Sequence, residues 1–178
     1  MAEQNLFHDI PTKNGENINI IVEISEGSRV KYEFEKKYGG VIFVDRFLHT
    51  PIPYPFSYGL IPQTWNDFDN DPLDAIIIAN EPILAGAVCP CRVIGMLSVD
   101  DDGERDDKIL GVPAGDPYFS HISKFEDLPR KKREDIEYFL NRYKDLEGKK
   151  VTVKKWENAE TAAQFVAECE KCYREKKF

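Results

Sequence analysis

The stretch Asp69-Asn70-Asp71-Pro72-Leu73-Asp74-Ala75-Ile76-Ile77-Ile78-Ala79 places three carboxylates directly before a short apolar run. Five apolar residues in succession, at 75–79, are typical of a buried β-strand, and they fall far short of the roughly 20 that a membrane span needs. The acidic part is therefore predicted to be a loop that leads into this strand. Carboxylates spaced by two and three residues on such a loop can converge on hard divalent cations.

More strands are predicted before this loop. Residues 18–47 have the pattern of three strands, because Val30, Tyr32 and Phe34 alternate with charged neighbours at a period of two. Gly39-Gly40 provides the turn before the third strand. The four prolines of 50–62 then predict an irregular segment, since proline removes ladder donors.

The second half of the chain predicts further strands and two helices. The strands are expected at 75–79, 83–88 and 92–99. The apolar helix faces carry Ile136, Phe139, Leu140 and Tyr143 in the first helix and Ala162, Phe165, Val166, Cys169 and Tyr173 in the second, with Asn158 as its N-cap. No linker or repeat divides residues 1–178, so we expect one domain, a mainly β (α+β) barrel with both C-terminal helices packed outside.

Negative charge is concentrated in two segments. The net charge of the chain is −8, and segments 67–74 and 100–108 together hold ten acids and two bases, so the remainder is neutral. An acidic balance argues against a nucleic-acid binder, whose affinity depends on neutralising phosphates. The sequence shows no apolar leader and no apolar run long enough to span a membrane. With the ordinary composition, this predicts that the protein is neither secreted nor a membrane protein.

The four cysteines also bear on the compartment. In a chain without a secretory leader they indicate a reducing environment, and we expect a cytoplasmic protein. The pairs Cys89-Pro90-Cys91 and Cys169-Glu170-Lys171-Cys172 could meet in a zinc site, but buried thiols are the simpler interpretation.

Each acidic segment has a structural interpretation as well as a functional one. We call residues 67–74 the first acidic segment and residues 100–108 the second acidic segment. The first could be an Asp-rich turn with Asx hydrogen bonds, and the second a solvated hairpin loop. Facing each other, the two could hold several Mg²⁺ ions around a polyphosphate, because Mg²⁺ takes one or two carboxylates and completes its shell with water and phosphate.

A polyanionic substrate also needs cations and phenols. Lys31 and Glu33 are predicted to share one strand face, and Glu23 lies on a neighbouring strand. The other candidates of this kind are Arg46, Tyr54, Tyr58, Tyr143 and Lys144. Each of these residues alone is more typical of a surface charge or a core aromatic, so only the whole set is informative.

Taken in order, these residues resemble the soluble family I inorganic pyrophosphatases. Segment 69–74 matches the family signature D-x-D-P-x-D, and the likeness runs from about residue 6 to 175. The other matching pieces are Glu23, Lys31-Tyr32-Glu33, Asp45-Arg46-Phe47, Tyr54-Pro-x-x-Tyr58-Gly59, Asp101-x-x-x-x-Asp106-x-Lys108 and Tyr143-Lys144-Asp145-Leu146-Glu147. The resemblance implies a five-stranded, OB-like β-barrel and hydrolysis of pyrophosphate to two orthophosphates with about three to four Mg²⁺ ions.

The resemblance also implies a role for each matched residue. Asp71 would be the general base that takes a proton from the attacking water. The implied metal ligands are Asp69, Asp74, Asp101, Asp106 and Glu33. The implied phosphate-binding residues are Lys31, Arg46, Lys108, Tyr143 and Lys144, and the supporting residues are Glu23, Tyr54, Tyr58 and Asp102.

The chain departs from the family pattern in two places. Asp102 stands where Glu is common, and its shorter reach would change the placement of water. Bacterial members are often hexamers, some with histidines between trimers, and here the corresponding helix positions are Tyr138 and Arg142. The resemblance implies a homo-oligomer, with the hexamer as the expected form.

Two other functions fit part of the sequence. A metal-dependent phosphohydrolase acting on nucleotides or nucleic acid would use the same acidic loops, but the net charge of −8 disfavours it. A non-catalytic OB-type module that binds divalent metal or phosphate would have no use for so many spaced Lys and Arg residues. A Mg²⁺-dependent inorganic pyrophosphatase accounts for both the acids and the bases.

Overall fold

The computed structural model describes residues 5–176. Within that range the chain forms ten strands and three α-helices. The strands are β1 (Lys13–Asn14), β2 (Asn17–Ile24), β3 (Val30–Glu35), β4 (Val41–Phe47), β5 (Ser57–Leu60), β6 (Asp74–Ile77), β7 (Val88–Asp101), β8 (Glu104–Arg105), β9 (Lys108–Pro113) and β10 (Val151–Glu157). The helices are α1 (Leu6–Asp9), α2 (Arg130–Arg142) and α3 (Ala159–Lys176).

Five strands close into a ring. Strand β2 pairs with β5, β5 with β6, β6 with β9, β9 with β7, and β7 pairs back with β2. Only the β6–β9 pairing in this ring is parallel. The 14 residues of β7 are enough to pair with β8 and β10 as well. This ring is the β-barrel that the strand pattern predicts, with the five strands that the resemblance implies.

The apolar run at 75–79 is explained by burial on both faces. Ile76 and Ile78 belong to the core cluster that contains the buried side chains of α2, whereas Ala75 and Ile77 belong to the cluster that contains those of α3. Alternate side chains therefore pack into different core clusters, which favours apolar residues at successive positions.

Both predicted helices are confirmed. In α2 the buried residues are Ile136, Phe139 and Leu140. The N-cap of α3 is Asn158, whose Oδ1 accepts a hydrogen bond from the Thr161 backbone N–H at 2.9 Å. No helix in the described part of the chain is both long and apolar enough to cross a membrane.

The strand prediction for 18–47 is also confirmed. Strands β3 and β4 form a separate hairpin, and Gly39 and Gly40 have φ angles of 69° and 112° in the turn before β4. Such positive φ angles are strained for residues with a Cβ. The hairpin is joined to β2 by the Phe34 backbone N–H, which donates to Glu23 Oε1 at 2.8 Å.

Two local predictions were wrong. The strand expected at 83–88 is a loop up to Val88, because Ala87 closes a turn by donating from its backbone N–H to Leu84 O at 3.1 Å. The segment 50–62, expected to be irregular, contains β5. All four prolines flank that strand, and a Cβ at Gly59 would lie 2.0 Å from Ile21 O, so glycine permits the close pairing with β2.

Candidate active site

Three adjoining cavities open where β2, β3, β5, β6 and the second acidic segment meet. Their volumes are about 110, 160 and 200 Å³, and Asp71 and Asp74 line all three. Asp74 begins β6 and Lys108 begins β9, and the parallel pairing of these strands places the two residues opposite each other. The closure of the ring therefore brings the two acidic segments together.

Lys108 lies at the centre of the site and is only 3% exposed. Its Nζ donates to Tyr58 Oη at 2.8 Å, to Asp74 Oδ2 at 2.9 Å and to Asp106 Oδ1 at 2.8 Å. The Tyr58 hydroxyl donates to the same Asp74 oxygen. One buried ammonium thus joins a carboxylate from each acidic segment.

Burial and charge set the protonation of this group. Burial, reinforced by the charge of Asp106, raises the pKa of Asp74. Burial also opposes ionisation of Asp106, but the positive charges of Lys108 and Lys144 outweigh it and lower the Asp106 pKa. For Lys108 the two carboxylates outweigh burial and hold its pKa well above the ordinary range, so the amine stays charged.

The first acidic segment is folded around Asn66. The Asn66 side-chain amide donates to Asp69 Oδ2 at 2.9 Å, and its backbone N–H donates to Asp71 O at 2.8 Å. The Asp71 backbone N–H donates to Asp69 Oδ1 at 3.2 Å, so this segment does contain the Asx hydrogen bonds of an Asp-rich turn. Burial, then the charges of Asp74 and Asp106, raise the pKa of Asp69 to about 7.

Two carboxylates beside this segment differ sharply in exposure. The Asp71 side chain is 60% exposed and pairs with Lys36. Glu23 is only 8% exposed, and burial, then the charge of Asp74, raise its pKa to about 8. Asp71 thus faces solvent and can be reached by a ligand, whereas Glu23 lies inside the protein.

The remaining cations line the rim. Lys31 Nζ lies 2.6 Å from Glu33 Oε1, and the Lys144 ammonium contacts the Asp101 carboxylate. Tyr143 and Lys144 follow directly after α2, and burial raises the pKa of the Tyr143 hydroxyl well above its ordinary value. The hydroxyl therefore remains a neutral donor at physiological pH.

The structure brings most of the predicted site residues together. Those that line the cavities are Glu23, Lys31, Glu33, Tyr54, Tyr58, Asp69, Asp71, Asp74, Asp101, Asp106, Lys108, Tyr143 and Lys144. Arg46 lies beside them, its Nε 3.2 Å from Glu147 Oε2. Asp102 instead lies exposed at the tip of the β7–β8 hairpin with a φ of 56°.

Sequence reasoning gave no role to several charged neighbours of the site. Glu35, Lys36 and Glu104 line its cavities, and Glu147, which stands in a matched piece, pairs with Arg46. Lys36 reaches Asp71 from a 3₁₀ turn, so its spacing in the sequence carries no signal. Glu104 did stand inside the second acidic segment, and its position there was the available signal.

The donor set fits a hard cation such as Mg²⁺, although the carboxylates do not form a closed cage. Across residues 5–176 no group of three or more His, Cys, Asp or Glu residues is arranged to hold a metal. Instead the Lys108 ammonium lies between Asp74 and Asp106. Mg²⁺ needs only one or two carboxylates per ion, with water and phosphate completing its shell, so these oxygens suffice.

The described cysteines show no zinc site. Cys89 and Cys91 sulfurs lie 3.7 Å apart on β7, and Cys169 is buried in the core cluster with α3. All four thiols are free. The buried-thiol interpretation fits Cys91 and Cys169, whereas Cys89 and Cys172 are half-buried.

Comparison with known proteins identifies the family. A family model described as inorganic pyrophosphatase matches residues 20–174. The chain belongs to the inorganic pyrophosphatase family. An inorganic pyrophosphatase of Geobacillus stearothermophilus is 42% identical over 160 residues, which cover 90% of this chain and 96% of that protein. One of Aquifex pyrophilus is 45% identical over 165 residues, which cover 90% and 92%.

Solved structures agree with the sequence comparison. The inorganic pyrophosphatase of Thermus thermophilus superposes with a TM-score of 0.89 at 34% identity and covers 96% of this chain and 99% of its own. The enzyme of Helicobacter pylori gives 0.88 at 33% identity, with 94% and 99% covered. Membership of the inorganic pyrophosphatase family and the OB-like barrel, both predicted from the sequence, are therefore confirmed.

Proposed function

We propose that this chain hydrolyses inorganic pyrophosphate to two orthophosphates, with Mg²⁺ held between the two acidic segments. The observation that carries the proposal is the contact of Lys108 with Asp74 and Asp106 inside one cavity. Carboxylates alone would suit a metal-binding module, and cations alone would suit an anion-binding one. Their close mixture suits a substrate that is a polyanion and enters with metal ions.

The metal ligands in this proposal are five of the carboxylates that line the cavities, namely Asp69, Asp74, Asp101, Asp106 and Glu33. Bound Mg²⁺ would lower the pKa of a water and neutralise phosphate charge. Asp69, with a raised pKa of about 7, must release its proton before it binds a cation.

The cationic and phenolic side chains bind the phosphates. Lys108, charged at all physiological pH values, lies at the floor of the site and would exchange one of its three protein acceptors for a phosphate oxygen, and Lys31, Lys144 and Arg46 donate from the rim. Tyr143 adds a neutral hydroxyl donor. Tyr54 and Tyr58 support them, since Tyr58 fixes Asp74 and Lys108 through hydrogen bonds and Tyr54 packs 4.6 Å from the Phe139 ring, centroid to centroid.

Asp71 is the general base in this proposal. It lines all three cavities, and its exposed carboxylate is paired only with the flexible Lys36 side chain among the described ion pairs. Asp74 and Asp106, in contrast, are held by Lys108. An exposed carboxylate beside carboxylates that are held by Lys108 can orient a water and accept its proton.

The test is the substitution Asp71→Asn, which keeps the shape of the side chain and removes its basicity. We expect turnover to fall at least about 100-fold with an unchanged melting temperature, the range for loss of a general base. Asp67→Asn is the matched control, because Asp67 is in the same segment, is equally exposed and pairs with Lys176. A near-wild-type rate for Asp71→Asn would overturn the assignment of the base.

We further propose that residues 1–178 form one domain and that the protein acts in the cytoplasm. We also propose that it is a homo-oligomer, in the hexameric form. Exposed apolar side chains such as Phe43 and Phe47 on the β3–β4 hairpin support self-association. Sedimentation equilibrium measures the state directly, and a monomer at micromolar concentration would contradict it.

A further inference from the structure

Phe68 is an exposed aromatic residue within the first acidic segment. It lies between Asp67 and Asp69, and 54% of its surface is exposed. Its ring nevertheless has a defined partner, because Arg105 Cζ lies 4.2 Å from the ring centroid. Arg105 belongs to the second acidic segment and directly precedes Asp106. This contact therefore links the two segments whose carboxylates form the site.

Arg105 is itself held from two further directions. Its Cζ lies 5.0 Å from the ring centroid of Phe165, a core residue of α3. Its Nε and Nη2 lie 2.7 and 2.6 Å from Asp107 Oδ2. Asp107 is only 1% exposed, and its other oxygen accepts the Val99 backbone N–H at 3.1 Å. A planar guanidinium fixed in this way presents a rigid face to Phe68.

We propose that Phe68 and Arg105 are positioning residues that hold the two acidic segments at the separation at which their carboxylates bind divalent cations. This inference rests on the proposed function. We call the group of Phe68, Arg105, Phe165 and Asp107 the loop clamp. None of its side chains lines the three cavities, so the clamp acts through Asp69 and Asp106 and not by touching metal or substrate.

The need for a clamp follows from charge. Asp69 and Asp74 belong to the first acidic segment and Asp101 and Asp106 to the second, and all four line the same cavity, where ionised carboxylates repel one another. The first segment is anchored at its start, where the Trp65 backbone N–H donates to Cys169 O at 2.9 Å. Lys108 already joins Asp74 to the second segment, and the loop clamp adds a second connection, directly before Asp69 in the chain. With that connection the carboxylates are preorganised before a cation arrives, and less ordering is required on binding.

Two substitutions test the clamp without changing net charge. Phe68→Ala removes the ring, and Arg105→Lys keeps the positive charge beside Asp107 but removes the planar face. Phe68→Tyr keeps the ring and serves as the conservative variant. Tyr118→Ala removes an exposed aromatic side chain outside the three cavities and serves as the matched control. Because net charge is unchanged throughout, a change in cation affinity cannot come from a change in net charge.

The readout is the dissociation constant for Mn²⁺ without substrate, measured from the electron paramagnetic resonance signal of the free ion. We expect Phe68→Ala and Arg105→Lys each to weaken binding about two- to fivefold, the range that one exposed cation–π contact allows. Phe68→Tyr and Tyr118→Ala should bind as the wild type does. The double variant that carries both Phe68→Ala and Arg105→Lys should bind Mn²⁺ no more weakly than the weaker-binding single variant, because both substitutions break the same contact.

Activity gives a second readout. If the clamp only positions ligands, the Mg²⁺ concentration for half-maximal pyrophosphate hydrolysis rises in Phe68→Ala, while the rate at saturating Mg²⁺ is retained. A lower melting temperature with unchanged Mn²⁺ affinity would overturn the inference, since that is what a purely structural contact predicts. If the wild type binds Mn²⁺ and releases phosphate, and Phe68→Ala binds Mn²⁺ with the same dissociation constant, the clamp is overturned and the proposed function stands. A wild type that does neither would overturn the proposed function as well.

Discussion

Replacing Glu23 by Gln removes a buried ionisable group from the site and leaves its shape almost unchanged. The Gln carbonyl can still accept the Phe34 backbone N–H that Glu23 Oε1 accepts at 2.8 Å. In the metal-free wild type, burial and then the charge of Asp74 raise the Glu23 pKa from 4.5 to about 8. We expect metal-free Glu23→Gln to match the wild type in stability at low pH and to exceed it at high pH.

The sign follows from proton binding. Between pH 4.5 and about 8 the native protein keeps a proton that the unfolded chain has released. The free energy of unfolding of the wild type therefore falls as pH rises through this window. At ~1.36 kcal/mol per pKa unit the full difference is roughly 5 kcal/mol. Because neighbouring carboxylates titrate together with Glu23, we expect a gap of about 2–5 kcal/mol at pH 9.

Urea denaturation in EDTA at pH 5, 7 and 9 measures this gap. Wild type, Glu23→Gln and the exposed-loop control Glu81→Gln are compared at each pH. The advantage of Glu23→Gln should be smallest at pH 5 and largest at pH 9, while Glu81→Gln should follow the wild type throughout. An advantage that does not change with pH, or a variant less stable than the wild type at pH 9, would refute the reasoning.

Three further predictions concern the same site. Lys108→Met leaves Asp74 and Asp106 without their shared cation, so the metal-free protein should lose roughly 3–5 kcal/mol of stability in urea titrations. Millimolar Mg²⁺ should raise the melting temperature above that in EDTA, because a cation bound only by the native state relieves carboxylate repulsion; equal temperatures would count against the site. Tyr58→Phe removes the hydroxyl that contacts Asp74 and Lys108. It should raise the activation free energy of turnover by more than it lowers the free energy of unfolding, as paired kinetic and denaturation assays would show.

The parts of the fold that the sequence predicts are those with local signals. The alternation of Val30, Tyr32 and Phe34 and the N-cap Asn158 depend on neighbours in the chain, and β3 and α3 form as expected. Strand β5 was missed because its four residues stand among prolines and exist through long-range pairing with β2 and β6. Strand β9 was missed because it begins at Lys108, the last residue of the second acidic segment, where the charged residues give no strand pattern.

The same division holds for the site. Residue types and their order suffice to predict which acids and bases form the site, since 13 of the 15 predicted residues line its cavities. Their environments follow from the fold alone: no spacing reveals that Glu23 is buried while Asp71 is exposed. Contacts between distant segments, such as Lys36 with Asp71 and Arg105 with Phe68, likewise depend on tertiary geometry.

The most direct test of the central claim is phosphate release from pyrophosphate by the purified chain, measured with millimolar Mg²⁺ and with EDTA beside a nucleoside triphosphate control. We expect fast release that requires Mg²⁺, strongly favours pyrophosphate over the triphosphate and is lost in Asp71→Asn. No release from the folded, Mg²⁺-loaded protein would contradict this claim and leave a site that binds metal and phosphate without catalysis.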